Sequence, residues 1–138
     1  MAMNQKIQSL MIPALEQIET AANDVFTWLP EKPMLIRDVS VVVQEAIVVA
    51  SSTAPVFSLD HTTPTVSRAE KATLSVANGT ALGTEVIASE SSGVAWVPFF
   101  VEEGDTIFFE HKTAGAGGSS AGTVYFILYF EYIPDGVI

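Results

Sequence analysis

Cysteine is absent from the sequence, which excludes disulfide bonds, thiolate nucleophiles and thiolate metal ligands together. Histidine is scarce as well, since His61 and His111 are the only two among 138 residues. A metal or acid–base centre needs further groups that converge in space, so both histidines are predicted to be structural residues at the surface. We expect no metal and no cofactor, and we expect stability to come from packing and from subunit assembly.

Basic residues are few. Six lysines and arginines stand against sixteen aspartates and glutamates, which gives a net charge of −10. A chain with this charge is repelled by the phosphates of nucleic acids and by anionic membrane surfaces. The composition therefore predicts that neither a nucleic acid nor a membrane is a direct partner.

Long apolar runs are missing too. The longest, residues 124–130, is far shorter than the roughly 20 residues that a membrane-spanning helix requires. The apolar stretch 7–15 is interrupted by Gln8, Ser9 and Pro13, which makes it a poor signal peptide. We therefore expect a protein that is made in the cytoplasm without export.

Catalytic motifs are also lacking. No G-x-S-x-G sequence occurs, and the serines cluster in loops that no helix follows. The adjacent carboxylates Glu102 and Glu103 are typical of a solvated turn, because neighbouring residues at a strand end point in opposite directions. The Gly- and Ser-rich segment 115–120 lacks the lysine and the helix of a phosphate loop. The sequence predicts no enzymatic activity.

Alternating β-branched residues are what the sequence has in quantity. Val39, Val41 and Val43 share one face of a predicted strand, and Asp38 and Ser40 lie on its other face. The pattern continues for about a dozen residues, which exceeds the usual strand length, so we expect a bulge near residues 44–45.

Turn signals divide the rest of the chain into short strands. Asn78-Gly79 predicts a hairpin turn, because both residue types tolerate positive φ. Seven to eight short strands, separated by turns about every 8–12 residues, predict an all-β fold, namely an antiparallel β-sandwich or jelly roll. We expect a single domain over residues 15–138 and an N-terminal arm over residues 1–14, extended or partly helical.

Residues 94–109 form the densest aromatic segment before the C-terminus. The turn signal at residues 102–105 separates two predicted strands, residues 94–101 and 105–112. Both are apolar at adjacent as well as alternate positions, whereas a strand of an antiparallel sheet normally has one apolar face. We interpret one face as core, with Trp96 directed inward, and the other as a contact between subunits.

The last predicted strand, residues 123–133, repeats the two-sided pattern. Its core-facing positions are predicted to be Val124, Phe126, Leu128 and Phe130. Amphipathic tyrosines on the opposite face suit an interface, and the apolar N-terminal residues suit docking on a neighbouring subunit. The candidate subunit or capsid interface comprises Ile7, Leu10, Met11, Phe108, Tyr125, Ile127 and Tyr129.

Three segments, residues 79–84, 94–107 and 122–132, together resemble small β-sandwich structural proteins of tailed bacteriophages. Among these the chain is similar to head decoration (cement) proteins. The resemblance implies a homotrimer on the capsid exterior that bridges copies of the major capsid protein, and it transfers no individual functional residue. The alternative is a phage tail or particle-surface module that binds a glycan or receptor through aromatic side chains. The candidates for that role are Trp28, Trp96, Tyr125, Tyr129 and Tyr132.

Overall fold

The computed structural model describes residues 8–15, 23–45, 55–77, 79–91, 95–113 and 123–133. These residues form nine antiparallel strand segments and one helix of four residues. In chain order they are β1 Gln8–Leu15, β2 Asn23–Trp28, β3 Met34–Glu45, β4 Val56–Thr62, β5 Ala69–Ser75, β6 Glu85–Ile87, α1 Ala88–Ser91, β7 Phe99–Val101, β8 Thr106–Thr113 and β9 Thr123–Tyr132. The prediction of an all-β chain is confirmed. No helix in these segments is long or apolar enough to span a bilayer.

The strands form two sheets. The first sheet has the order β1-β9-β3-β6, and β7 also pairs with β3. The second sheet has the order β2-β8-β4-β5. Since β6 and β7 pair with different parts of β3, at residues 40–42 and 34–36, they act as one interrupted edge strand. Each sheet then has four strand positions, eight in all.

One hydrophobic core joins the two sheets. Phe126 of the first sheet packs edge-on against Phe57 and Phe109 of the second, with ring centroids 5.7 and 5.1 Å apart. Edge-to-face contacts of this kind add to the free energy of burying the rings. The sheets therefore pack face to face, and their outward faces form the two broad surfaces of the molecule.

The period-2 pattern of β3 and β9 holds in the structure. The four predicted core positions of β9 are buried, and Val39, Val41 and Val43 of β3 are buried opposite them. The expected bulge is confirmed as a register shift between Val43 and Glu45. A second shift, between residues 36 and 38, was not predicted.

Two turn predictions need correction. Gly79 does have positive φ, at 81°, but β5 and β6 belong to different sheets, so the predicted hairpin at Asn78-Gly79 is wrong. The predicted strand 94–101 is regular only at its end, in β7, and residues 95–98 lie in an irregular segment. Local turn chemistry specifies a change of direction, but it does not specify whether the chain returns to the same sheet.

The turn at residues 102–105 also passes from one sheet to the other, between β7 and β8. The Glu102 amide donates to Asp105 Oδ2 at 3.0 Å, and the Asp105 amide donates to the Glu102 carbonyl at 3.1 Å. Gly104 supplies the positive φ of 96° that this turn requires. Trp96 is half-buried and packs against the core as predicted, with its indole N–H donating to the Arg37 carbonyl at 3.0 Å.

The N-terminal segment is described only from Gln8. Residues 8–15, which the sequence places mostly in an arm, form β1 and pair with β9 of the same chain. Ile7 and the other residues before Gln8 lie outside the described residues, as do residues 46–50 and the Gly- and Ser-rich segment 115–120.

Candidate interaction surface

The outward face of the first sheet carries three of the candidate interface residues. Tyr125, Ile127 and Tyr129 alternate with the core positions of β9, and all three are half-buried. Across the sheet, Tyr125 lies opposite Val42 of β3 and Ile127 lies opposite Ser40. We call the surface formed by these five residues the tyrosine face.

A carboxylate holds the tyrosine face together. Glu85 of β6 accepts hydrogen bonds through Oε2 from the hydroxyls of Ser40 and Tyr129, each at 2.5 Å. The network therefore crosses β9, β3 and β6, and Ser40 in its middle is fully buried. Burial raises the pKa of the Tyr129 hydroxyl, and so do its hydrogen bond to Glu85 and the negative charge of that carboxylate. The hydrogen bond to Glu85 therefore fixes the orientation of the Tyr129 side chain on this face.

A second carboxylate fixes the edge of this sheet. Asp38 accepts a hydrogen bond from the Ser89 hydroxyl at 2.5 Å and another from the Ser89 amide at 3.2 Å. The bonds tie β3 to α1, which directly follows β6. The edge strand that carries Glu85 is thereby held against β3 at its far end.

An apolar extension lies toward β7, beyond the outward positions Asp38 and Glu131 that separate it from the tyrosine face. Leu35 is opposite Phe100 on one side and opposite Glu131 on the other, on the same outward side of β3. Phe100 is 58% exposed. Arg37 forms an ion pair with Glu131 at 2.8 Å, which places a charged rim next to this apolar extension. An apolar centre with a polar rim is the usual composition of a protein–protein contact.

The other candidate interface residues lie in different places. Along the β1–β9 ladder, Leu10 pairs with Leu128 and Met11 pairs with Ile127, so the register brings Met11 next to the tyrosine face. Phe108 lies on the outward face of the second sheet, the opposite surface of the sandwich. A single flat contact cannot cover Phe108 and Tyr129 together.

Phe108 is part of a charged cluster. The Arg68 guanidinium lies 4.1 Å from the centroid of its ring, within range of a cation–π contact. Arg68 also pairs with Asp60 at 2.6 Å and with Glu110 at 3.4 Å, and Ser58 donates to Glu110 at 3.2 Å. The outward face of the second sheet is thus polar and internally paired, unlike the tyrosine face.

Both histidines are buried, so the prediction that they lie at the surface is wrong. His61 Nε2 lies 2.9 Å from Asp105 Oδ2, and the His111 ring stacks on Phe57 with centroids 5.0 Å apart. They occupy inward positions on β4 and β8, where His61 contacts a carboxylate and His111 contacts an aromatic ring. The described residues contain no group of three or more His, Cys, Asp or Glu side chains placed to hold a metal ion.

Sequence reasoning identified Tyr129 but missed Glu85 and Ser40. Tyr129 and Glu85 are 44 residues apart in the chain, and residues 86–88 read only as a weak strand. No local pattern connects them, because strand order decides which edge residue faces β9. Comparison of the chain with models of known protein families and with curated proteins found no match.

Proposed function

We propose that this chain is a non-enzymatic structural protein that self-associates through the tyrosine face. We further propose that it decorates the exterior of a bacteriophage capsid as a homotrimer and bridges copies of the major capsid protein. The observation that carries the proposal is an apolar, tyrosine-bearing outward sheet face that is held in one conformation by Glu85.

The strand order supports a jelly roll. With β6 and β7 taken as one interrupted strand, successive strands alternate between the sheets except at β4–β5. In one sheet β9 lies between β1 and β3, and in the other β8 lies between β2 and β4. Eight strands in two such sheets are characteristic of jelly rolls, which viral capsid domains and lectins both use. The fold therefore agrees with a virion protein, although function depends on surfaces.

The composition of the tyrosine face supports self-association. Tyrosine brings a large apolar ring and a hydroxyl, and it is enriched at the centre of protein interfaces. Because the Glu85 network already restricts Tyr129, little side-chain entropy remains to be lost when a second subunit binds. A face of this kind on each of three subunits would form contacts around a three-fold axis.

Two further features fit attachment outside a capsid. The net charge of −10 would keep the protein away from the packaged DNA inside. An arm that precedes Gln8 would leave the sandwich at the edge strand β1, next to β9, from which it could reach a neighbouring subunit. Multiple attachment points on one trimer would strengthen binding to capsomers without any single strong contact.

The experiment compares two substitutions that each replace an apolar side chain with a carboxylate. Ile127→Asp alters the tyrosine face, and Val66→Asp alters an exposed valine in the β4–β5 connection. We expect the parent chain and Val66→Asp to be trimers by multi-angle light scattering, and Ile127→Asp to be a folded monomer by circular dichroism. The trimers should co-sediment with purified capsids of the phage that encodes the chain. A monomeric parent chain that binds no capsid would refute the proposal.

A further inference from the structure

A cleft of about 320 Å³ opens at one end of the sandwich and is lined by Trp28, Leu29, Glu31, Lys32 and Tyr132. Trp28 ends β2 of the second sheet and Tyr132 ends β9 of the first, so the cleft lies between the ends of both sheets. Its size is at the lower end of the roughly 300–1,000 Å³ of small-molecule sites. Its two strand residues, Trp28 and Tyr132, have the inward parity of β2 and β9, so the cleft is separate from the tyrosine face.

The two rings of the cleft are held by the core. Trp28 and Tyr132 each pack against the buried ring of Phe130 with centroids 5.4 Å apart, at interplanar angles of 68° and 83°. Both rings are half-buried and keep one side toward the cleft. Their positions are therefore set before any ligand arrives, which lowers the entropy lost on binding.

The charged residues of the cleft come from a restrained loop. Pro30 and Pro33 flank Glu31 and Lys32, and the Ile133 amide donates to the Pro33 carbonyl at 3.1 Å. The Lys32 ammonium lies 5.8 Å from the centroid of the Tyr132 ring. The cleft therefore places a hydrogen-bond acceptor, the Glu31 carboxylate, and a donor, the Lys32 ammonium, next to two aromatic rings. The two prolines restrict the backbone that carries them.

We propose that this cleft binds one pyranose unit of a glycan. A purely apolar ligand would displace the water around Glu31 and Lys32 without replacing its hydrogen bonds. A simple anion would be repelled by the Glu31 carboxylate. A pyranose suits the aromatic and the charged groups together, since its C–H face packs on an aromatic ring while its hydroxyls donate to the carboxylate and accept from the ammonium. The proposal is independent of trimer formation and of capsid binding.

The first test screens the full-length chain by saturation-transfer difference NMR. The probes are the methyl α- and β-glycosides of glucose, galactose, mannose and N-acetylglucosamine. We expect at least one of these to receive saturation, with the strongest transfer to its ring C–H protons. If none of the eight binds at millimolar concentrations, the proposal is wrong.

Matched substitutions then locate the site. Lys32→Ala and Lys71→Ala each remove an ammonium that lies over an aromatic ring. The ring under Lys71 is that of Phe99, which is away from the cleft. Similarly, Glu31→Gln alters the cleft and Glu103→Gln alters an exposed turn. Loss of one hydrogen bond predicts about a fivefold weaker affinity for Lys32→Ala and Glu31→Gln, with no change for the two controls. Equal affinities in all four variants would place the sugar elsewhere and overturn the inference.

A fluorescence readout is also possible, because the chain has only two tryptophans, Trp28 and Trp96. In Trp96→Phe the emission comes from Trp28 alone, and we expect it to change on titration with the glycoside that binds. In Trp28→Phe the emission comes from Trp96 and should stay constant. A response from Trp96 but none from Trp28 would contradict a site in the cleft.

Discussion

Among single residues, Tyr129 connects the most features of the molecule. Its backbone belongs to the central ladder between β9 and β3, its ring forms part of the tyrosine face, and its hydroxyl reaches across β3 to Glu85 on the edge. A hydrogen bond to a charged group that is partly shielded from water contributes more than one between neutral groups at the surface. The hydroxyl of Tyr129 should therefore contribute to stability as well as to the shape of the face.

Removing that hydroxyl is the first prediction. Tyr129→Phe leaves Glu85 with one hydroxyl donor fewer, so we expect the free energy of unfolding to fall by about 1–2 kcal/mol. Urea denaturation followed by circular dichroism measures the change. Tyr125→Phe is the control, because it removes a hydroxyl from the same strand and face but outside the Glu85 network, and it should cost less than about 0.5 kcal/mol. Equal losses in both variants would mean that the network adds no stability.

The pH dependence of stability follows from the same residue. The folded state raises the pKa of Tyr129 above its value of about 10 in the unfolded chain. The native state therefore binds its proton more tightly, and the stabilisation is fully present below about pH 10 and is lost as pH rises further. We expect the stability advantage of the parent chain over Tyr129→Phe to be constant from neutral pH to about pH 9 and to shrink above about pH 10. An advantage that grows with alkaline pH would contradict the assigned direction.

Among the elements, the turn between β7 and β8 shows how a connection between sheets is stabilised. The Asp105 carboxylate is buried, and its Oδ2 both receives the Glu102 amide at 3.0 Å and lies 2.9 Å from His61 Nε2. One side chain thus satisfies a backbone donor in the turn and a ring nitrogen on β4. The turn is attached to the second sheet through a polar contact inside the core.

Loss of this carboxylate should be costly. Asp105→Ala leaves the buried His61 nitrogen and the part-buried Glu102 amide without their acceptor, so we expect a loss of about 2–4 kcal/mol in the free energy of unfolding. Glu103→Ala, in the same turn but exposed, should change it by less than about 0.5 kcal/mol. Chemical denaturation of the two variants in parallel distinguishes these outcomes. If Asp105→Ala is as stable as Glu103→Ala, the His61–Asp105 contact has no structural role.

The sequence predicts where strands lie and which of their residues face the core, but it does not predict which sheet each strand joins. The alternation in β3 and β9 identifies the core face because one side of each strand packs on the other sheet. Gly79 has the positive φ that the turn prediction requires, yet β5 and β6, the strands on either side of it, join different sheets. That choice depends on which edges are free after all other strands have paired, which is information that no local window contains.

The same limit applies to the candidate surface. Tyr125, Ile127 and Tyr129 were identifiable because they alternate with core residues in one strand. Phe108 has the same local pattern, but β8 belongs to the second sheet and Arg68 covers the ring. The partners Ser40 and Glu85 come from two other strands, so only the assembled sheet brings them to Tyr129.

For the whole molecule, the two broad surfaces of the sandwich have different characters. The outward face of the second sheet has acidic groups paired with Arg68, whereas the tyrosine face has half-buried rings, Ile127 and the exposed Phe100 beyond them. Paired charges on a surface are already satisfied, while apolar side chains such as Ile127 gain free energy when they are covered. An oligomer built on the tyrosine face would therefore present the charged surface outward.

The first sheet depends on β1 in a way that a truncation series can measure. Because β9 lies between β1 and β3, loss of β1 would expose a full row of unpaired backbone groups on the most apolar strand of the chain. Such an edge is a template for pairing with other chains. The described ladder between β1 and β9 comprises residues 8–15, so removal of residues 1–7 keeps all of these pairs.

We therefore expect the 8–138 chain to keep the unfolding midpoint of the full chain, and the 16–138 chain to lose stability and aggregate. Thermal unfolding and light scattering of the two truncations measure both effects. If the N-terminal arm contacts a neighbouring subunit, the 8–138 chain should also form a weaker trimer while its fold is unchanged. A soluble, stable 16–138 chain would show that β1 does not protect the edge of β9, and the first sheet would then need only β9, β3 and their edge partners.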